Sequence, residues 1–166
     1  TTVTVIAGHY GDHAPPAPPP NSWASRPDAD VAIWTLALEP GARVSLPPAS
    51  ADANRMLYFF AGDSIEIGNR PIRSGLAVQV QAGVELPLRN GPAPAELLVL
   101  QGRPIGEPVV QHGPFVMNTA DEIQQAMLDY HRTGFGGWPW SRDDPVHDRQ
   151  RGRFAIHADG REERAD

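Results

Sequence analysis

The sequence of 166 residues contains no cysteine, which excludes disulfide bonds and thiolate chemistry. A bound metal would therefore need histidine, aspartate or glutamate as ligands. There is also no apolar run near the roughly 18 residues that cross a bilayer, and no basic, apolar leader at the start. These absences predict a soluble, cytoplasmic protein with no membrane segment.

Lysine is absent as well, since all 14 basic residues are arginine. Alanine, proline and glycine are abundant, and we attribute the bias to genomic base composition. Residues 1–131 carry seven arginines against 13 acidic side chains, whereas residues 132–166 carry seven of each. An acidic body repels phosphate backbones, so direct binding to nucleic acid is not expected. Contact with a basic partner protein remains open.

The first residue is Thr1 and not methionine. We therefore expect a processed or truncated product, or a sequence that begins inside a longer polypeptide. Its length suffices for one domain with a hydrophobic core, and one domain followed by a C-terminal segment is the expected organisation.

Short segments rich in Val, Ile, Leu and aromatic residues recur between Gly, Pro and Asn turns. This pattern is typical of an antiparallel sandwich or barrel. About eight strands are predicted, at residues 2–7, 31–38, 43–46, 55–60, 64–67, 76–80, 85–89 and 96–101. Gly68-Asn69 predicts a hairpin turn, because both residue types tolerate positive φ.

One helix is predicted after Thr119, which forms a capping box with Glu122, and Gly134 is expected to end it. We expect the helix to pack against the barrel through one face formed by Ile123, Met127 and Tyr130. The C-terminal segment, residues 132–166, has too few apolar residues for a core of its own. Trp138 and Trp140 favour its docking on a partner domain, because tryptophan is suited to interfaces.

Residues 102–118 read Gly-Arg-Pro-Ile-Gly-Glu-Pro-Val-Val-Gln-His-Gly-Pro-Phe-Val-Met-Asn and lead directly into this helix. The run resembles the signature of the C-terminal half of the pirin family. The resemblance implies an all-β cupin, a double-stranded β-helix or jelly-roll barrel, with one C-terminal helix and an extended tail. It assigns barrel and helix to residues 1–131 and a docking tail to residues 132–166.

The same resemblance implies a partner and a cofactor outside this chain. Pirins are bicupins whose N-terminal barrel holds one iron through three histidines and a glutamate, whereas the C-terminal barrel is usually empty. Family activities are quercetin 2,3-dioxygenase chemistry in some members and iron-linked co-regulation of other proteins in others. Both are ascribed to the iron of the other half.

The second metal-binding motif of cupins falls on Gly75, Gln81, Gly83, Leu86 and Asn90. The two glycines and the asparagine of that motif are kept, as a preserved turn scaffold requires. However, Leu86 replaces the metal-binding histidine and Gln81 replaces a proline. This half of a metal site is therefore expected to be lost.

The first cupin motif can use Gly41 and Gly62 as its two glycines, with a slightly long spacing between them. Arg55 then occupies the glutamate position, and both histidine positions fall within residues 48–51. No residue there offers an imidazole, and an arginine would oppose a cation. We predict a barrel without metal-binding, catalytic or cofactor-binding residues.

Two other groups of polar residues invite functional interpretations. His9, Asp12 and His13 could offer three metal ligands, but flanking glycines and a following proline run favour a plain loop. Glu107 and His112 could form an acid–base pair, but they lie in a Gly- and Pro-rich stretch that is typical of a packed turn before a helix. In both cases a structural role is the favoured interpretation.

The leading hypothesis is that this half packs against and supports an N-terminal iron-binding cupin. In a second hypothesis the whole protein is a flavonol dioxygenase, and this half shapes access to the distant iron. In a third, the chain is a stand-alone, metal-free module that binds a small apolar ligand inside the barrel, lined by Trp34, Tyr58 and Phe60.

Overall fold

A computed structural model describes residues 1–142 and 147–164. Its contacts divide the chain into two compact units, Thr1–Gly106 and Glu107–Asp166. Within the described residues, no helix is both long and apolar enough to cross a membrane.

The first unit contains nine strands in two antiparallel sheets. Their bounds are β1 Thr2–Ala7, β2 Ala32–Leu38, β3 Arg43–Leu46, β4 Asn54–Ala61, β5 Ser64–Ile67, β6 Arg70–Arg73, β7 Leu76–Gln81, β8 Leu86–Asn90 and β9 Ala95–Gly102. The five-stranded sheet has the order β1-β2-β9-β4-β7, and the four-stranded sheet has the order β3-β8-β5-β6. Two short 3-10 turns, Trp23–Ser25 and Pro27–Ala29, precede β2.

The hydrophobic core lies between the inner faces of the two sheets. Alternate residues of β2, β4 and β9 are buried, as expected for strands with one face toward a core. The core cluster includes Leu36, Leu57, Phe59, Leu97 and Val99 from the first sheet, and Leu46, Ile65 and Leu88 from the second. The predicted all-β class is confirmed.

All eight predicted strands are present, each with its ends within one residue of the prediction. The Gly68-Asn69 turn joins β5 to β6, and Gly68 has a φ of 58°. The prediction missed β6 itself because Pro71 lies within it. A proline cannot donate to a strand ladder, and it is tolerated here because β6 is the edge strand of its sheet.

The second unit begins with a hairpin of β10 Val110–His112 and β11 Phe115–Met117, followed by helix α1, Ala120–Thr133. The capping box of Thr119 and Glu122 is confirmed, and Gly134 ends the helix with a φ of 57°. The predicted apolar face is only partly correct. Ile123 is buried, whereas Tyr130 is exposed and meets the rings of Phe115 and Phe135 edge to face.

The described part of the C-terminal segment contains a second small hairpin, formed by β12 Phe154–Ile156 and β13 Glu162–Arg164. The Arg151 guanidinium lies 3.8 Å from the ring centroid of Phe154 and forms an ion pair with Glu162. The division of the chain after residue 131 stays a prediction. That the segment docks on a partner domain stays a prediction.

Candidate functional site

A polar cluster lies at one end of the five-stranded sheet, where β4 and β9 pair. Arg55 and Gln101 are opposite each other in that ladder. Arg55 is only 1% exposed. Its Nε donates to Gln101 Oε1 at 2.8 Å, and its Nη2 donates both to the same oxygen and to Pro47 O, the latter at 2.8 Å. The buried guanidinium is thus bonded to neutral acceptors.

Asp30 extends this cluster from the loop before β2. Gln101 Nε2 donates to Asp30 O at 3.0 Å and to Asp30 Oδ1 at 3.2 Å, while Ser50 N donates to Asp30 Oδ2 at 2.6 Å. Burial acts to raise the pKa of Asp30, but the hydrogen bonds from Ser50 and the charges of His9 and Arg55 outweigh it. The pKa of Asp30 therefore lies below its ordinary value.

Burial lowers the pKa of Arg55 from its ordinary value, and the charge of Asp30 acts in the opposite direction. Arginine nevertheless remains charged at any physiological pH. The site therefore contains one buried positive charge and one negative charge, joined through the amide of Gln101.

Trp34, on β2, forms an aromatic wall beside the cluster and is 2% exposed. The Arg55 guanidinium carbon lies 6.0 Å from the centroid of the Trp34 ring, at the limit of a cation–π contact. Tyr10 meets the indole edge to face at a centroid distance of 5.2 Å, and its hydroxyl donates to Ser45 O at 3.0 Å.

A cavity of about 200 Å³ borders these side chains. Its polar lining comes from His9, Asp30, Arg55 and Gln101, and Trp34 lines it as well. Trp34 Nε1 and Arg55 Nη1 are the two buried side-chain polar atoms, among the described residues, that have no hydrogen-bond partner. Unpaired buried donors are rare in folded proteins because each loses its hydration without compensation.

The same cavity is lined by three of the residues that the first cupin motif assigned to a metal site. Arg55, at the glutamate position, lines the cavity together with Pro48 and Ala49, which fall within the range of the histidine positions. Leu86, at the second-motif histidine, packs against the hydrophobic core. These side chains do not fit iron, because none offers a lone pair to a cation and Arg55 is itself positive.

The scaffold residues of the second motif have structural roles. Asn90 is buried, and its Nδ2 donates to Glu39 O and Ala93 O at 2.8 Å each and to Leu38 O at 3.2 Å. At Gly83, a Cβ atom would lie 3.0 Å from Ala51 Cα. The motif therefore joins neighbouring loops through hydrogen bonds and a close backbone approach.

The structure does not bring His9, Asp12 and His13 together as a triad. Tyr10 and His13 close a tight turn through two backbone hydrogen bonds, and His9 instead lines the cavity. In the described ranges, 1–142 and 147–164, no group of three His, Cys, Asp or Glu side chains could hold a metal.

Glu107 accepts a hydrogen bond from Asn118 Nδ2, while His112 pairs with Phe115 in the β10–β11 ladder. The Asn118 backbone N–H donates to Glu122, a residue of the capping box. Glu107 is thereby tied to the start of the helix, as the interpretation of a packed turn expects.

The proposed apolar lining of the barrel interior was wrong for two of its three residues. Trp34 faces inward, but Tyr58 and Phe60 are 39% and 55% exposed, because their neighbours Leu57 and Phe59 occupy the inward positions of β4. Asp30 and Gln101 were not predicted as site residues from the sequence. Gln101 carried a signal, since it continues the inward alternation of β9 with a polar side chain.

Comparison with known proteins gives a consistent picture. The model of the pirin C-terminal cupin domain matches residues 33–136. A protein of Pseudomonas aeruginosa, provisionally named a quercetin 2,3-dioxygenase, is 40% identical over 132 residues, which are 77% of this chain. Human pirin is 35% identical over 104 residues, or 60% of this chain.

A crystal structure of quercetin 2,3-dioxygenase from Acinetobacter baumannii superposes on 81% of this chain with a TM-score of 0.65 and 28% sequence identity. The chain spans less than half of each relative: 44% of the Pseudomonas protein, 35% of human pirin and 44% of the Acinetobacter chain.

Proposed function

We propose, since the chain belongs to the pirin family through its C-terminal cupin domain, that it is the metal-free half of a cytoplasmic bicupin. In this proposal it packs against and supports an N-terminal iron-binding cupin. The chain itself contributes no catalytic residue, and iron-linked chemistry resides in the other half. The observation that carries the proposal is the position of Arg55.

By the motif spacing, Arg55 falls at the position of a metal-binding glutamate, and its hydrogen bonds to Gln101 and Pro47 fix the guanidinium in the structure. A cation at that place would meet a fixed positive charge in a desolvated environment, where electrostatic repulsion is strong. Leu86, at a histidine position, cannot ligate a metal. These features support a structural or binding role for this barrel.

Support for the partner domain comes from length and from surface chemistry. The relatives are more than twice as long as the part that this chain matches. Tyr58 and Phe60 place exposed aromatic rings on the outer face of the five-stranded sheet, and such apolar exposure is typical of an interaction surface. Trp138 and Trp140, 4.7 Å apart between ring centroids, are suited to the same docking role.

For the whole protein, two activities are proposed: quercetin 2,3-dioxygenase chemistry, which the name of the Pseudomonas relative carries, and the iron-linked co-regulation of other proteins that the resemblance to pirins implies. Iron content and quercetin-dependent oxygen uptake separate them. Iron with turnover supports the dioxygenase, and iron without turnover supports co-regulation.

The first test is the intact mass of the natural gene product, followed by its iron content. We expect a mass of roughly 30 kDa, as for two domains of ordinary size, and one iron per chain. The Arg55→Met variant keeps that iron, because this barrel does not hold it. A product near 18.0 kDa, or iron lost from an Arg55→Met variant that is still folded, contradicts the proposal.

The docking role of the C-terminal segment needs its own experiment in the full-length protein. We expect the two cupins to unfold in one cooperative transition. Replacing Trp138 and Trp140 by alanine weakens their association and separates the transition into two, whereas the control Trp23→Phe does not. A single unchanged transition contradicts docking by this segment.

The alternative is a stand-alone, metal-free binding module. The cavity beside Trp34 favours it, although its partly polar lining does not suit the small apolar ligand that the sequence suggested. A natural product of about the mass of this chain supports this alternative.

A further inference from the structure

We propose that the cavity beside Trp34 and Arg55 is a binding site for a small monocarboxylate. The inference goes beyond the structural role proposed above and does not depend on it. Every residue that it uses lies in the first unit, Thr1–Gly106.

Two buried hydrogen-bond donors of residues that line this cavity are unpaired. Trp34 Nε1 and Arg55 Nη1 are both buried, both lack a partner, and both belong to residues that line the same cavity. A ligand with two acceptor oxygens can pair with both donors. A carboxylate has that arrangement, and arginine binds it with strong, charge-assisted hydrogen bonds.

The charges around the cavity also favour a monoanion. Asp30 is the acidic side chain of this cluster, but Gln101 stands between it and the guanidinium, and both Asp30 oxygens already accept hydrogen bonds. Arg55 therefore has no carboxylate bonded to it in the described part of the chain. A bound monoanion would compensate the buried guanidinium, whereas a phosphate dianion carries twice the charge, would be repelled more strongly by Asp30 and is disfavoured.

The size of the cavity and the chemistry of its walls suit a small ligand with one polar end. A volume of about 200 Å³ corresponds to about seven water molecules at their share of liquid volume. The part of the lining contributed by Val31, Ala32, Pro47 and Pro48 is apolar. A carboxylate with a short hydrocarbon group fits this division between polar and apolar walls, because its head meets the donors and its apolar part meets the prolines.

The experiment uses propionate as the probe and propionamide as its neutral isostere. The intact, ¹⁵N-labelled chain has four tryptophans, and the indole resonance lost in Trp34→Phe identifies Trp34. Propionate is expected to move that indole proton downfield in a saturable titration, because a new N–H···O bond deshields the proton. Propionamide is expected to bind at least tenfold more weakly.

Two variants test the donors separately by calorimetry. Trp34→Phe removes the indole N–H but keeps an aromatic ring, and Arg55→Met removes the guanidinium. Each is expected to weaken propionate binding by about tenfold or more. The matched control is Trp23→Phe, since the Trp23 indole already donates to Arg103 O at 3.0 Å, and it leaves the affinity unchanged.

Three outcomes overturn the proposal. In the first, propionate does not shift the Trp34 indole resonance, and the indole proton shows a long-lived contact with water. The two donors then bind ordered water only. In the second, propionamide binds as tightly as propionate. In the third, Trp34→Phe keeps its other indole resonances, and hence its fold, and binds propionate with unchanged affinity. The Trp34 variant keeps the test decisive if Arg55→Met fails to fold.

Discussion

Arg55 and Gln101 face each other across the β4–β9 ladder, and the arginine Nε donates to the glutamine Oε1 at 2.8 Å. The barrel thus holds a buried positive charge through an amide and not through a carboxylate. Burying a charge is costly unless hydrogen bonds compensate it. The stability of the site therefore depends on these two side chains acting together.

A double-mutant cycle measures this dependence. Arg55→Met leaves Gln101 Oε1 and Pro47 O without their donor, and we expect a loss of about 2–4 kcal/mol in the free energy of unfolding. Gln101→Leu leaves the guanidinium short of an acceptor and costs about 3 kcal/mol. The double variant should lose less than the sum, with a coupling of about 1–3 kcal/mol.

Urea unfolding of the four proteins gives the coupling energy. The exposed Arg43 on β3 supplies a control, since Arg43→Met should change stability by less than about 0.5 kcal/mol. Additive losses, within about 0.3 kcal/mol, would show that the two side chains do not act as a pair.

Asn90 should be the most sensitive of the residues kept from the second cupin motif. Its amide donates to three backbone carbonyls from a buried position. Asn90→Ala leaves these acceptors unpaired, and we expect a loss of about 2–3 kcal/mol, measured by thermal or urea unfolding. The exposed Asn54→Ala should stay within about 0.5 kcal/mol of the parent; equal effects at both positions would refute the anchoring role.

Two glycines of the β1–β2 connection form a matched pair. Gly8 and Gly11 both have positive φ, 75° and 58°. A Cβ on Gly8 would lie 2.3 Å from Val31 O, whereas one on Gly11 meets nothing within 4 Å. Gly11→Ala should therefore cost about 1–2 kcal/mol for its backbone conformation alone. Gly8→Ala adds a backbone clash and should cost more than about 3 kcal/mol.

Both variants are compared in the same unfolding assay. If Gly8→Ala is no more destabilising than Gly11→Ala, the close approach of Gly8 to Val31 does not constrain the fold.

Through Asp30, part of the free energy of unfolding should be lost at acid pH. Its pKa lies below the ordinary 3.8, so its ionised form is favoured in the folded state. A depressed pKa contributes stability that is fully present above about pH 4 and is lost as the pH falls through the lower, folded value. Asp30→Asn should lower the free energy of unfolding at neutral pH. It should also remove the part of the acid-induced loss of stability that comes from Asp30.

Asparagine tolerates the φ of 50° at this position, so the variant tests charge and not backbone strain. The measurement is the free energy of unfolding between about pH 2 and pH 7. Parallel pH profiles for the two proteins would mean that Asp30 does not contribute in this way.

Glu107 is expected to stabilise the approach to helix α1 and to take no part in chemistry. Glu107→Ala removes the acceptor for Asn118 Nδ2, and at this exposed position the loss should be below about 1 kcal/mol. Any turnover per folded molecule should stay unchanged, and Glu107→Gln, which keeps an acceptor, should lose less. A variant with the parental melting temperature but without activity would overturn this assignment.

Alternation and turn residues were sufficient to predict the eight main strands. These signals failed where a residue is unfavourable in a strand but its position in the sheet tolerates it, as at Pro71 of the edge strand β6. They also failed on the orientation of Tyr58 and Phe60, because residues 56–60 are all apolar and an unbroken apolar run does not reveal which side faces the core.

The candidate site was predictable only where a motif spacing marked it. The cupin spacing assigned Arg55 and residues 48–51 to one location, and Arg55, Pro48 and Ala49 do line one cavity. Asp30 and His9 join them because β2 pairs with β9 in a particular register, Ala32 opposite Gln101. Such proximity depends on long-range strand pairing, which no local pattern reveals.

The central position of β9 also dictates when the domain can fold. β9 pairs with both β2 and β4, yet it is the last strand of its sheet to leave the ribosome. Until Gly102 has emerged, β2 and β4 have no shared neighbour, and their open edges remain available to other chains. Folding of the barrel is therefore completed in one late step that depends on non-local strand pairing. Nascent chains that stall before this point should need chaperones most.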